Sequence, residues 1–149
     1  MKLIMKNKDL FEMGEEYYLA HCVSADFALG AGIAIQFQKR FGTKMQLIAQ
    51  YPNYLSIWDT QFVGRGDCIL TDHRVFNLVT KRNYWEKPTY VSLYVALNEM
   101  KKLVIEHGVK KLAMPKIGCG LDLLEWRNVS GMIKAIFEDI DIEIVVCYL

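Results

Sequence analysis

An α/β sandwich, one sheet with helices packed on both of its faces, is the fold class this sequence predicts. Three observations carry the expectation. Six short β-type runs are interleaved with helical patterns, the order that builds strand–helix–strand units. Most of those runs are near-continuously apolar, as suits strands covered on both faces. The 149 residues, 52% hydrophobic and 23% charged, show no linker, repeat or compositional break, which fits one domain with a sizeable core.

The elements follow in order. Leu3–Lys6 and Tyr17–Val23 read as the first two strands. A helical pattern over Gly32–Phe41 ends at Gly42, a natural C-cap, and a weaker one over Lys44–Gln50 stops near Pro52. Cys68–Thr71 and Val75–Thr80 are the next strands. Tyr90–His107 places Leu93, Leu97, Met100 and Val104 at helical spacing and ends at Gly108. Lys111–Met114 is a fifth strand. Glu125–Phe137 repeats the helical rhythm with Val129, Met132, Ile133, Ile136 and Phe137, and Ile142–Leu149 is the last strand.

Lysine and arginine total 18 against 17 acidic residues, a formal net charge of +1. That balance removes the broad electrostatic argument for a nucleic-acid or anionic-membrane binder and leaves room only for a local basic pocket. No apolar run approaches the ~18 residues that span a bilayer. Met1–Asp9 is too broken by charge for a signal peptide, so a cytoplasmic protein is expected. The four cysteines, Cys22, Cys68, Cys119 and Cys147, lie far apart with no metal-type spacing; reduced thiols and no metal site are expected.

Sheets of this kind bind ligands outside the carboxyl ends of their strands. Two glycine-containing loops fall there: Ser24–Gly32, with Gly30, Ala31 and Gly32, and Ile117–Asp122, with Gly118, Cys119, Gly120 and Leu121. Glycines let backbone N–H groups approach a ligand closely, and a helix N-terminus favours negative charge. Two such loops at one sheet edge can cradle a diphosphate, although glycines also serve simply to make turns. Asp122-Leu-Leu-Glu125 has the spacing of a capping box opening the last helix; alternatively, Asp122 is a carboxylate placed for acid–base work. Lys81, at a strand's carboxyl end, is either a solvated loop residue or an amine for phosphates or for attack on carbon. His21 reads as a satisfied core histidine and His107 as a complement to a helix C-terminus; His73 lies far from both. Cys119 has no histidine beside it to make a thiolate. Trp58, Trp85 and Trp126 read as packing residues, with Tyr84 and Trp85 alternatively lining a ligand mouth.

Several strings occur together and in order: His21-Cys-Val-Ser24, Gly30-Ala-Gly-Ile-Ala34, Leu78-Val-Thr-Lys81, Lys87-Pro-Thr-Tyr90, Met114-Pro-Lys-Ile-Gly-Cys-Gly-Leu-Asp122 and Trp126-x-x-Val129-Ser130-x-Met132-Ile133. The set resembles the terminal ADP-ribose protein glycohydrolase branch of the macro domains, which includes antitoxin macro domains that reverse DNA ADP-ribosylation. The resemblance runs from Leu3 to Leu149 and implies a three-layer α/β/α sandwich over a mixed sheet that binds ADP-ribose. It implies that Lys81 attacks C1″ of the distal ribose to form a lysyl–ADP-ribose adduct, with Asp122 assisting its formation and resolution. Asp9 and Leu10 match the segment that holds adenine, with Lys8 where a glycine is usual. Ser24, Gly30, Ala31 and Gly32 would border the distal ribose and phosphates, and Gly118, Cys119, Gly120 and Leu121 would wrap the diphosphate. Residues 53–66, with Trp58 and Arg65, match no motif of the branch and read as a family-variable insertion.

The implied function is removal of mono-ADP-ribose from acidic side chains, or from O-acetyl-ADP-ribose, by a monomer without cofactor or membrane. Three alternatives accompany it: a non-catalytic ADP-ribose reader, a phosphatase acting on ADP-ribose 1″-phosphate, and reversal of DNA ADP-ribosylation with nucleic acid only as the modified substrate.

Overall fold

Burial of the central strands on both faces explains both the apolar runs and the layering they produce. The computed structural model describes residues 1–62 and 66–149; Arg65 of the expected insertion lies outside them. Six strands form one sheet: β1 (Lys2–Asn7), β2 (Tyr18–Ser24), β3 (Asp67–Thr71), β4 (Val75–Lys81), β5 (Lys111–Met114) and β6 (Glu143–Tyr148). Their spatial order is β1-β6-β5-β2-β4-β3. All neighbours run parallel except β3, which pairs antiparallel with β4, so the sheet is mixed. Among the described residues five α-helices flank it: α1 (Ile33–Phe41), α2 (Thr43–Gln50), the short α3 (Tyr54–Ile57), α4 (Tyr90–Glu106) and α5 (Trp126–Phe137).

Successive side chains of a strand point to opposite faces. β4 accordingly sends Phe76 and Leu78 into one core with Leu93, Leu97 and Met100 of α4 and Ile133 and Phe137 of α5. Val75 faces the other side with Phe37 of α1, and Val79 with Leu47 of α2, Tyr54 and Trp58. A strand buried on both faces has no position to spare for a polar residue, which is why its sequence reads as a continuous apolar run. β1 is the exception: at the sheet's edge, half or more of its residues are exposed.

The helix ends follow from identifiable caps. Gly42 closes α1 at φ 66° and donates its N–H to Gln38. Thr89 and Ser92 exchange side-chain and backbone hydrogen bonds at 3.0 Å, a capping box that opens α4. Gly108 (φ 61°) ends it, with Val109 N–H bonding to Val104 and Gly108 N–H to Ile105, a Schellman motif beside the capping residue His107. The expected cap on α5 is absent: Glu125 occupies the N-cap and Asp122 lies three residues outside, turned to a different partner.

Residues 53–62 form α3 and a wider π-type turn over Trp58–Phe62. Trp58, 2% exposed, plugs the core beneath them, the packing role expected of it. Tyr54 donates its hydroxyl to buried Asp67 at the start of β3. Asp59 holds the Arg82 guanidinium through two bonds of 2.8 and 2.9 Å, tying the segment to the residue after β4.

His21 corrects one expectation. It is fully buried and stacked on Phe37 at 3.8 Å, and its Nε2 lies 2.6 Å from Asn77 Oδ1. Asn77 gives its amide hydrogens to Ile69 O and Thr71 Oγ1, so its Oδ1 is left to accept from Nε2–H. Nδ1 has no partner among the described residues; the histidine is half satisfied. Burial pushes its pKa down to about 4, against the pull of the Asn77 bond. A folded pKa below the unfolded one means the unfolded chain takes the proton first, so stability is full above about pH 6.5 and is lost as pH falls toward 4. Urea unfolding should find the protein about 2 kcal/mol less stable at pH 5 than at pH 7, with His21→Gln removing most of that difference.

Candidate functional site

The carboxyl edge of the sheet gathers the ends of β2, β4 and β5, and the two glycine-containing loops leave from there. Lys81 is the last residue of β4. The β2–β4 register runs Val23↔Val79 and then Ser24↔Lys81, so Thr80 is an extra residue on β4. Such a bulge re-aims the side chain that follows it. The Thr80 hydroxyl is buried in it without a partner among the described residues. Lys81 Nζ lies 2.9 Å from Asp122 Oδ1, and each side chain is 15% exposed. Forty-one residues separate them in sequence.

Asp122 reaches Lys81 because its loop is tightly wound. Gly118 and Gly120 both sit at φ 73°, Gly120–Asp122 makes one 3-10 turn, and Leu123 follows at φ 66°. Leu124 N–H bonds to Gly118 O at 2.8 Å, and Leu123 N–H to Gly120 O at 3.1 Å. A Cβ on Gly118 would stand 3.0 Å from Leu124 Cδ1 and 3.1 Å from Leu93 Cδ2, so both conformation and space demand glycine there. Tyr90 Oη accepts from the Glu125 backbone N–H and from Asn128 Nδ2, holding the far end of the loop to α4.

The other loop is built differently. Phe27 and Leu29 take positive φ of 53° and 43° while their side chains are buried. Gly32, at φ 58°, is the N-cap of α1 rather than part of it, and a Cβ there would lie 3.5 Å from Leu121 Cδ1. The two loops therefore meet face to face, with Gly30 and Ala31 exposed beside them and Ser24 buried against the Lys81 strand end. Lys87 crosses over to Leu121, donating to its carbonyl at 2.6 Å.

Asp26 joins the pieces and was not singled out from sequence. Its Oδ1 accepts from Ser24 Oγ at 2.5 Å and from Ala28 N–H at 3.1 Å; its Oδ2 accepts from Tyr84 N–H at 2.9 Å. Ala25 and Asp26 N–H bond in turn to the carbonyls of Lys81 and Arg82. A Ser-x-Asp sequence directly after a strand is a turn signal that pointed there. Tyr84 and Trp85 pack edge to face and are 63% and 66% exposed, which excludes a core role for Trp85.

The thiols beside the pair are held in the neutral form. Cys22 is pushed up to about 12, chiefly by burial and then by the charge of Asp122. Burial also raises Cys119, whose thiol donates to Ile117 O. No group of three or more metal-ligating side chains occurs among the described residues, and no described helix is long and apolar enough to cross a membrane.

Farther along the same edge, Asp9 and Leu10 line a cleft of about 410 Å³ with Ile33, Arg40 and Cys147. Asp9 caps a 3-10 turn, accepting from Phe11 N–H at 2.9 Å, and Lys8 N–H bonds to Tyr148 O at 3.0 Å. A lysine in place of glycine at position 8 is thus accommodated in a paired backbone. The residues singled out from the sequence fall along one continuous strip, from this cleft through both glycine-containing loops to Lys81.

Residues 20–133 match the Macro domain family, which is more than half of the chain. The chain is a macro domain. Over 138 residues it is 41% identical to ADP-ribose glycohydrolase OARD1 of Homo sapiens, covering 93% of this chain and 86% of that protein. Uncharacterized protein 032R of Invertebrate iridescent virus 6 is 33% identical over 87 residues, 58% of this chain and 87% of that one. The macrodomain of Thermus aquaticus DarG superimposes with a TM-score of 0.75 at 22% identity over 99% of this chain and 98% of that one, a likeness of fold. In this macro domain Gly118→Ala should cost about 1–3 kcal/mol in urea unfolding, because it adds a positive-φ penalty to the crowding against Leu124 and Leu93.

Proposed function

We propose that this macro domain is an ADP-ribose-binding hydrolase that releases mono-ADP-ribose from acidic side chains, or from esters such as O-acetyl-ADP-ribose, through a lysyl–ADP-ribose intermediate. The observation that carries the reading is the 2.9 Å contact between Lys81 Nζ and Asp122 Oδ1 beside two backbone cradles. The 41% identity to a protein named ADP-ribose glycohydrolase supports it. Cradling a diphosphate requires backbone N–H groups; it does not require an amine and a carboxylate in contact between the loops. That pair distinguishes a hydrolase from a reader.

The chemistry follows from the two groups. An ammonium has no lone pair, so Lys81 must lose a proton before it attacks, and Asp122 stands at hydrogen-bond distance to take it. Nζ then bonds to C1″ of the distal ribose while the C1″–O bond breaks, and the acceptor carboxylate leaves with the electron pair. Carboxylate is a good leaving group, and the adjoining ring oxygen stabilises the positive charge that builds at C1″. In the second half, the oxygen of water bonds to C1″ while the C1″–N bond breaks and Nζ leaves with the electron pair. Asp122 returns its proton to Nζ, and the proton shed by the water passes to solvent, balancing the carboxylate released in the first half. ADP-ribose is released and both residues are restored. The glycine-containing loops and the Asp9–Leu10 cleft supply binding and orientation, which hold C1″ over the amine.

Mass spectrometry on a target mono-ADP-ribosylated on glutamate or aspartate tests this. Wild type should release ADP-ribose, whereas Lys81→Ala should lose release by at least about a thousandfold and still bind ADP-ribose in calorimetry. Asp122→Ala should slow release and accumulate a protein species heavier by one ADP-ribosyl group. Equal loss of binding and release in Lys81→Ala would defeat the assignment. Gly118→Glu should instead lose binding together with stability, because a side chain there is aimed at Leu124 and Leu93 and forces the loop to rearrange.

A further inference from the structure

The strand order lays the substrate's parts along the sheet edge, and one part of that edge is still unassigned. The Asp9–Leu10 cleft lies at the ends of β1, β6 and β5; the glycine-containing loops and Lys81 lie at β5, β2 and β4. Next in the same direction, on the β4–β3 side, is a cleft of about 540 Å³ between residues 25–27 and 48–56. Ile48, Tyr51, Asn53 and Ser56 form one wall, and Asp26 and Phe27 the other. Ile48 and Tyr51 are exposed large apolar residues, and Pro52 follows them.

This second cleft is joined to the reacting centre by the chain itself. Ala25, on its wall, donates its backbone N–H to Lys81 O at 2.9 Å, and Asp26 donates to Arg82 O at 3.1 Å. The turn that follows its other wall is tied to the same strand end through the Arg82–Asp59 bridge. A modified acceptor is a linear object: adenosine, diphosphate, distal ribose, then the group linked at C1″. If adenosine lies at the β1–β6 end and C1″ at Lys81, whatever is attached to C1″ must continue toward β3, where this cleft is.

We infer that the 25–27/48–56 cleft receives the polypeptide backbone and flanking side chains of an ADP-ribosylated protein. The inference rests on the hydrolase reading proposed above. Charge selects the occupant. Among the described residues that line the cleft there is one carboxylate, Asp26, and no lysine or arginine. Arg82 beside it is already paired with Asp59. A nucleic acid would bring a phosphate per nucleotide into a space that offers no free cation among those residues, whereas recognition of such strands relies on cations along the backbone. A neutral or lysine-containing peptide fits apolar and amide-bearing walls with one carboxylate. The adenosine cleft, by contrast, carries Lys8 and Arg40.

The test compares kcat/KM for three substrates: a lysine-flanked peptide mono-ADP-ribosylated on glutamate, O-acetyl-ADP-ribose, and an ADP-ribosylated single-stranded oligonucleotide. Ile48→Ala/Tyr51→Ala should lower the value for the peptide about tenfold and leave that for O-acetyl-ADP-ribose, which has nothing to place in the cleft, unchanged. Equal loss on peptide and small ester, no loss on the peptide, or loss confined to the oligonucleotide would each overturn the inference. A binding arm separates its failure from that of the hydrolase reading. In the Lys81→Ala background, the ADP-ribosylated peptide should bind about tenfold more tightly than ADP-ribose itself, an advantage that Ile48→Ala/Tyr51→Ala erases. Absence of that advantage overturns the cleft assignment whether or not the wild type turns the peptide over.

Discussion

The ion pair between Lys81 and Asp122 is the constraint on which the rest of this edge depends. Two charges at 15% exposure have given up most of their water, and a pair so placed is tolerated only where geometry keeps the partners together. Three features do so. The bulge at Thr80 turns Lys81 off the regular strand pleat. The Gly118–Leu123 turns wind Asp122 into range through successive positive-φ residues. The β2–β4 and β2–β5 pairings bring the two parent strands to either side of β2, so that lysine and aspartate approach across one strand end. Remove any of these and one charge is left half-buried without its partner.

Parallel pairing makes this edge a series of neighbouring subsites. The carboxyl ends of the five parallel strands collect on one side, and the spatial order β1-β6-β5-β2-β4 ranks the segments that leave them along a line. A ligand with several chemically distinct parts can then be read by different loops: an acidic residue with cations nearby at one end, backbone N–H groups in the middle, and an amine with a carboxylate beyond them. Net charge says nothing about this arrangement. A total of +1, summed over the whole chain, does not distinguish a cleft that carries Lys8 and Arg40 from one with no lysine or arginine among the described residues that line it.

Periodicity made the strands and long helices legible, because burial on both faces of β4 and on one face of α4 and α5 is written into consecutive residues. Lys81 and Asp122 were visible as candidates from their loops, and as a pair only through the string of motifs around them. Asp122 shows why. Asp-x-x-Glu is the spacing of a helix cap, and only the positive φ of Leu123 carries the chain far enough that Glu125 takes the cap position and Asp122 is freed. The half-satisfied His21 was hidden for a similar reason: a histidine within an apolar strand shows that it is buried, but not which ring nitrogen is left without a partner. Residues 53–62 carried no period at all. Their place comes from three long-range contacts, Trp58 in the core, Tyr54 on Asp67 and Asp59 on Arg82, none of which has a local signature.

The Ser24–Gly32 loop shows how a binding loop can be held rigid before its ligand arrives. Glycine at positions 27 and 29 would adopt the observed positive φ without steric cost, yet the chain has phenylalanine and leucine, which cost about 1–2 kcal/mol each in that conformation. Their side chains are 3% and 7% exposed, packed with Tyr54, Trp58 and Val79. Burying two such groups contributes about 3–6 kcal/mol, enough to offset the strain, and Asp26 adds three hydrogen bonds at the loop's waist. A glycine loop of the same shape would have to be ordered by the ligand, at the expense of affinity. Here the ordering is done by the core during folding, and glycine is kept for the exposed positions 30 and 32.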